Sequence, residues 1–132
     1  MALLHEEITG PVIEAFYQVH RELGHGFLES VYSRAMVIAL ADVGIHAQRE
    51  LEIEVWFRER RVGVYRADLV VEGKVILENK ASAQLPPTAE SQLINLLRST
   101  SLEVGLLLHF GQKPKFTRRI LTNDQKTKPF SV

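Results

Sequence analysis

Asp68, Glu78 and Lys80 stand in the stretch RADLVVEGKVILENKA, residues 66–81, where two apolar runs flank Glu72-Gly73. A buried strand pair would favour Val or Ile at such positions, so three ionisable side chains there call for a chemical reason. Glu78 and Lys80 are two apart on a strand, so their side chains leave one face roughly 7 Å apart. The place of Asp68 depends on the turn. A two-residue Glu72-Gly73 loop pairs Asp68 with Leu77 and sends it to the opposite face. A three-residue loop, Val71-Glu72-Gly73 with glycine left-handed, pairs it with Ile76 and sets it diagonal to Glu78 on one face. An odd-length turn is therefore a requirement of any shared chemistry.

With that geometry two carboxylates converge beside an ammonium. Oxygen ligands in a shallow site, with room for water and phosphate, suit Mg²⁺ or Mn²⁺. Such a metal would polarise a scissile phosphate and lower the pKa of a bound water. Lys80 would position or deprotonate that water, or stabilise charge developing on phosphate. The ion would also offset the mutual repulsion and desolvation of the carboxylates. The same residues fit a plainer arrangement, a strand end with a Glu–Lys surface pair and a lone turn aspartate.

The elements that must position these residues are legible from their periods. Thr9 followed by Pro11 predicts a helix start, and Val12, Phe16, Val19 and Leu23 mark its apolar face. Gly24-His25-Gly26 stops it. A second helix is expected from about Phe27 to Val43, with Leu28, Val31, Tyr32, Ala35, Met36 and Ala39 inward and Gly44 closing it. HAQRELEIEVWF changes the period to two, with Leu51, Ile53, Val55 and Phe57 on the buried side. RVGVYRADLVV and KVILENK make two more strands. PPTAESQLINLLRSTS reads as a helix with Leu93, Leu96 and Leu97 inward, and EVGLLLHF as a strand buried on both faces. A short element near Phe116 to Leu121 follows. The order α-α-β-β-β-α-β predicts an α/β fold, a mixed sheet whose antiparallel meander is flanked by helices.

Bulk properties narrow the class. A chain of 132 residues is about one domain, and 45% apolar with 24% charged residues is ordinary globular composition. Sixteen basic residues balance sixteen acidic ones, so any basic surface must be local. Without cysteine there are no disulfides, thiolate metal sites or Cys nucleophile. No signal peptide or spanning segment is readable, which sets a cytoplasmic protein with no membrane partner as the expectation.

Three further stretches carry a resemblance. GFLESVY, residues 26–32, has the form Gly-x-x-Glu-x-x-Tyr, and VHRELGHG precedes it; ADLVVEGKVILENKA and ESQLINLL follow in order. Together they resemble the small bacterial GxxExxY family of the PD-(D/E)XK nuclease-like superfamily, over roughly residues 8–122. The resemblance implies a PD-(D/E)XK (restriction-endonuclease-like) core and nuclease chemistry. It places Asp68 at the metal-binding Asp, Glu78 and Lys80 at the Glu-x-Lys, and Glu29 at a helix glutamate that some members use as a further metal ligand or orienter. It places Gln92 at the helix glutamine of the branch resembling the RecB nuclease domain, and the backbone carbonyl of Asn79 as a further metal ligand. Two departures stand out: Leu96 where that branch often has Tyr, and Ala67 where Pro often precedes the Asp.

Each of these residues also has a structural role open to it. Glu29 would complement a helix dipole in a first turn, and Gln92 would be a surface amide. Tyr32 reads as core with a tethered hydroxyl, His20 and His25 as residues beside a face and in a turn, and His109 as a strand-end polar group. From Gly111 onward Lys113, Lys115, Arg118, Arg119, Lys126 and Lys128 face Asp124 alone, so this stretch would track a phosphate backbone, with Phe116 for stacking. The expected arrangement is one domain over 1–122 with a polar basic tail over 123–132. The leading expectation is a Mg²⁺- or Mn²⁺-dependent nuclease acting on DNA or RNA, with a homodimer suited to branched or double-stranded substrates. The alternative is a catalytically silent module of the same fold that binds nucleic acid or a protein.

Overall fold

The computed structural model describes residues 3–127. The first helix, α1 (Glu6–Leu23), buries Ile8, Val12, Ala15, Phe16 and Val19 along one stripe. It begins earlier than Thr9-Pro11 predicts, and Pro11 lies inside it. An internal proline removes a helical hydrogen bond and costs about 3 kcal/mol, so the first turn needs outside support. Arg118 supplies it, donating to Thr9 Oγ1 at 3.1 Å and to the Leu4 carbonyl. The second helix, α2 (Glu29–Ala41), buries Tyr32, Ser33, Met36 and Leu40. Leu28, expected inward, is 76% exposed, because it precedes the helix in extended conformation.

Strands β1 (Ala47–Phe57), β2 (Arg60–Val71) and β3 (Val75–Lys80) form the expected antiparallel meander. Helix α3 (Ala89–Arg98) then crosses over to β4 (Val104–Phe110), which pairs parallel with β3 and is buried throughout. The element near Phe116 is a full strand, β5 (Pro114–Ile120), antiparallel to β4, so the sheet has five strands in the order β1-β2-β3-β4-β5. A short 3₁₀ turn, Asn123–Gln125, follows, and Lys126 donates to the Thr100 and Leu102 carbonyls. Of the expected tail, residues 128–132, Lys128 among them, lie outside the described residues.

The two sheet faces carry separate cores. Helices α1 and α2 pack on Leu69, Val71, Leu77, Leu106 and Phe110. Helix α3 packs on the other face against Ile53, Ala67, Val70, Ile76 and Leu107. It comes close because β4 has glycine at 105, where an added Cβ would stand 2.6 Å from Leu93 Cδ1. Among the described residues no helix is long and apolar enough to cross a membrane.

The β1–β2 ribbon is irregular beside Asp68. Leu69 and Val71 belong to the α1/α2 face, yet Ala67, also odd-numbered, belongs to the α3 face. Strand alternation has changed phase at Asp68. The partner strand kinks at the same rung, where Glu50 takes φ 55°, and the register runs from Arg49↔Leu69 to Leu51↔Ala67 without a shift. Both strands of the ribbon thus turn together, and β2 parts from β3 beyond the pair Leu69↔Leu77.

Candidate metal centre and its cleft

The opening between β2 and β3 is where the carboxylates lie. Glu72 and Gly73 take φ 52° and 64°, Lys74 N–H donates to the Val71 carbonyl at 2.9 Å, and the first paired residues are Val71 and Val75. The loop is odd-numbered, as shared chemistry requires, but comprises Glu72-Gly73-Lys74. That register sets Asp68 directly across from Glu78, not diagonal to it through Ile76. At this rung side chains replace the backbone ladder. Asn79 N–H donates to Asp68 Oδ2 at 2.7 Å, and Asp68 N–H donates to Glu78 Oε2 at 3.2 Å. Each carboxylate thus stabilises the backbone group that the parting strands would leave unpaired.

Glu78 is only 9% exposed. Its pKa is pushed up to about 9, first by burial, then by the charge of Asp68 and a side-chain hydrogen bond with it; the Asp68 N–H and Lys80 act the other way. Lys80 Nζ donates to Gln92 Oε1 at 3.2 Å, which joins the strand residue to α3. Asp68, Glu78, Lys80 and Gln92 all line one cleft of about 520 Å³, with Val55, Tyr65, Arg66, Asn95, Leu96, Arg98 and Ser99.

The donor set suits a divalent cation. Two carboxylates meet where burial and mutual repulsion disfavour a second negative charge, and a hard cation relieves both. No group of three His, Cys, Asp or Glu side chains that could hold a metal occurs among the described residues. Asp68 and Glu78 are thus the pair of carboxylates that this cleft presents.

Other expected participants are placed elsewhere. Glu29 is exposed in the first turn of α2 and does not line the cleft; that helix covers the opposite sheet face. The Asn79 side chain, pointing away from Glu78, is buried and donates to Ser33 Oγ at 2.9 Å, which ties β3 to α2. Arg118 is held by α1, and Arg119 donates to Glu90 on α3. Lys113 and Lys115 remain exposed at the β5 edge. Tyr32 is buried, stacks on Phe110 with centroids 4.3 Å apart, and donates its hydroxyl to the Gly24 carbonyl at 2.7 Å. The Gly-x-x-Glu-x-x-Tyr stretch is thus a clasp over the turn joining α1 to α2. His20 lies 2.7 Å from the Gly111 carbonyl and His109 2.8 Å from that of Ser82, both in structural contacts.

Tyr65 and Arg98 line the same cleft, and nothing in the local sequence marks either for it. Counting by twos from Asp68 sends Tyr65 to the wrong face, because the phase change at this rung has no signature in residue type.

A family model described as the PD-(D/E)XK nuclease superfamily matches residues 6–120. The chain belongs to this superfamily. Its mixed five-stranded sheet flanked by helices is consistent with the PD-(D/E)XK core. Among solved structures it is similar to the crystal structure of SSO0001, at 17% identity and a TM-score of 0.41, over 83% of this chain and 63% of that one. The chain thus spans less than two thirds of that protein's length. No curated protein gives a match.

Proposed function

We propose that the protein is a nuclease, of the GxxExxY group within its superfamily, that hydrolyses phosphodiester bonds with Mg²⁺ or Mn²⁺. The observation that carries this reading is the meeting of Asp68 and Glu78 at a broken rung, with Lys80 in the same cleft. A divalent ion bound there supplies Lewis acidity and neutralises charge on the reacting phosphate. Asp68 and Glu78 would hold it, with the Asn79 carbonyl as a further main-chain donor. Lys80 keeps an ammonium at the cleft wall, where it attracts a phosphate oxygen and orders the attacking water. Gln92 fixes the direction of that ammonium, since its amide oxygen accepts from Nζ.

The departure of Glu29 from the cleft supports a second reading, a catalytically silent module that binds nucleic acid. The test is cleavage of labelled single-stranded, double-stranded and branched DNA and RNA with Mg²⁺, Mn²⁺ or EDTA. Metal-dependent cutting that falls about 10²-fold or more in both Glu78→Gln and Lys80→Ala supports the nuclease. Cutting that survives both substitutions overturns the site. Binding without cutting favours the silent module.

A further inference from the structure

The cleft does not end at the carboxylates. Val55, Arg98 and Ser99 line it and also line a second groove of about 830 Å³, whose other walls include Trp56, Phe57, Arg58 and Glu59. The two form one path along the β1–β2 ribbon. From Asp68 to Arg60 that path follows β2 for eight residues, roughly 26 Å at about 3.3 Å per residue.

The path is furnished with aromatic faces and unpaired cations. Tyr65 is 62% exposed in the cleft, and Trp56 and Phe57 are 37% and 59% exposed at the ribbon's tip. Arg58 sits over the Phe57 ring, 4.8 Å from its centroid. Arg61 is taken up by Glu54 at 3.2 Å, and Arg66 lies 3.8 Å from Glu52. The side chains of Arg58, Arg60 and Arg98 make no ion pair or hydrogen bond among the described residues; the acidic residues lining the second groove are Glu59 and Glu54, the latter engaged by Arg61. Arg98 is exposed on the last turn of α3, at the junction of the two grooves.

The turn itself is built against preference. Phe57 pairs with Arg60, and the two residues between, Arg58 and Glu59, take φ 49° and 65°. Such a turn favours Asn-Gly. Each bulky residue held in this region costs about 1–2 kcal/mol, and strain of this kind clusters at binding sites.

We propose that Arg98 and the Trp56-Phe57-Arg58 tip bind the single-stranded flank of the nucleic acid whose phosphodiester lies at Asp68 and Glu78. The inference rests on the nucleic-acid reading of the cleft and extends it to a substrate class. Unpaired bases stack on exposed aromatic rings while arginines take the phosphates. A duplex keeps its base faces stacked within itself and offers the tip only phosphate.

The chain has one tryptophan, Trp56, so its emission reports on this tip directly. The experiment titrates the full chain, in EDTA so that nothing is cut, with labelled 20-nucleotide single strands of oligothymidylate and oligouridylate and with a 20-base-pair duplex. Single strands quench Trp56 and bind more tightly than duplex. Trp56→Ala weakens single-strand binding about 5- to 100-fold, and Trp56→Phe, which keeps a ring, restores most of it. Arg98→Ala weakens binding about fivefold and makes the salt dependence shallower by about 0.7. Thermal melts confirm that these exposed substitutions leave the fold intact. Unchanged affinity in both alanine variants, or equal quenching by duplex, overturns the proposal. Cutting that needs Glu78 beside binding indifferent to the tip keeps the nuclease and sinks the strand path. Tip-dependent binding without metal-dependent cutting does the reverse.

Discussion

Glu78 is placed so that its charge is costly until something positive joins it. Its pKa rises from 4.5 to about 9, with burial the leading cause and Asp68 the next. Between those values the folded protein holds a proton that the unfolded chain has released. Stability contributed here is therefore full below about pH 4.5 and is lost as pH climbs toward 9. Urea unfolding in EDTA should give a lower midpoint at pH 8 than at pH 5. Glu78→Gln, which cannot ionise, should remove much of that difference, and saturating Mn²⁺ should raise the wild-type midpoint at pH 8 by binding the folded state. An identical pH slope in the variant would place the effect elsewhere. Asn79 makes the complementary case. Its amide nitrogen has Ser33 as partner, while its buried Oδ1 has none among the described residues. Ser33→Ala should cost about 1–3 kcal/mol by leaving the whole amide unsatisfied, measured by urea unfolding. At this scale the types and spacing of Asp68, Glu78, Lys80 and Gln92 were readable, since each of those side chains faces the cleft. Ser33 and the inward turn of Asn79 were not, because a polar residue's buried partner lies far along the chain.

Periods of two and 3.6 revealed most elements, because each helix or strand is buried on a consistent face. They failed where one element leans on another. Pro11 looks like a helix start until Arg118, from β5, is seen holding the preceding turn. The phase change at Glu50 and Asp68 is likewise set by how the ribbon must turn to cover α3, and no local residue type marks it. Two substitutions probe such element-level constraints. Gly105→Ala sets a Cβ 2.6 Å from Cδ1 and 3.2 Å from Cγ of the fully buried Leu93. Pushing α3 off β4 should cost about 1–3 kcal/mol in urea unfolding. It should also depress cleavage, because α3 carries Gln92. Conversely, Arg58→Asn combined with Glu59→Gly gives the tip turn the residues its backbone favours and should stabilise the protein by about 1–2 kcal/mol. If the tip serves binding, that more stable variant should hold single strands less well, since Arg58 is gone. Tighter binding by the relaxed turn would contradict the strand path.

Over the whole molecule sixteen basic and sixteen acidic residues cancel, so attraction to a polyanion depends on where unpaired cations sit. Two patches compete for that role, on opposite edges of the sheet. At the β5 edge Lys113 and Lys115 are exposed, while Arg118 and Arg119 are already engaged by α1 and Glu90. At the β1 edge Lys80, Arg98 and Arg58 line the path, which ends in aromatic rings, and Arg60 stands beside it across the tip turn, opposite Phe57. Counterion release separates the two. If a single strand follows the β1 path, four phosphate contacts give a slope of log K against log salt of about −3. Arg60→Ala with Arg98→Ala should then bring the slope to about −1.5, whereas Lys113→Ala with Lys115→Ala should leave it unchanged. Anisotropy titrations in EDTA across a range of NaCl concentrations measure both. The opposite pattern, with the lysine pair carrying the slope, would move the nucleic acid to the β5 edge. The scissile bond would then have to reach Asp68 and Glu78 across β4 and β3, a different path for the strand over the same sheet.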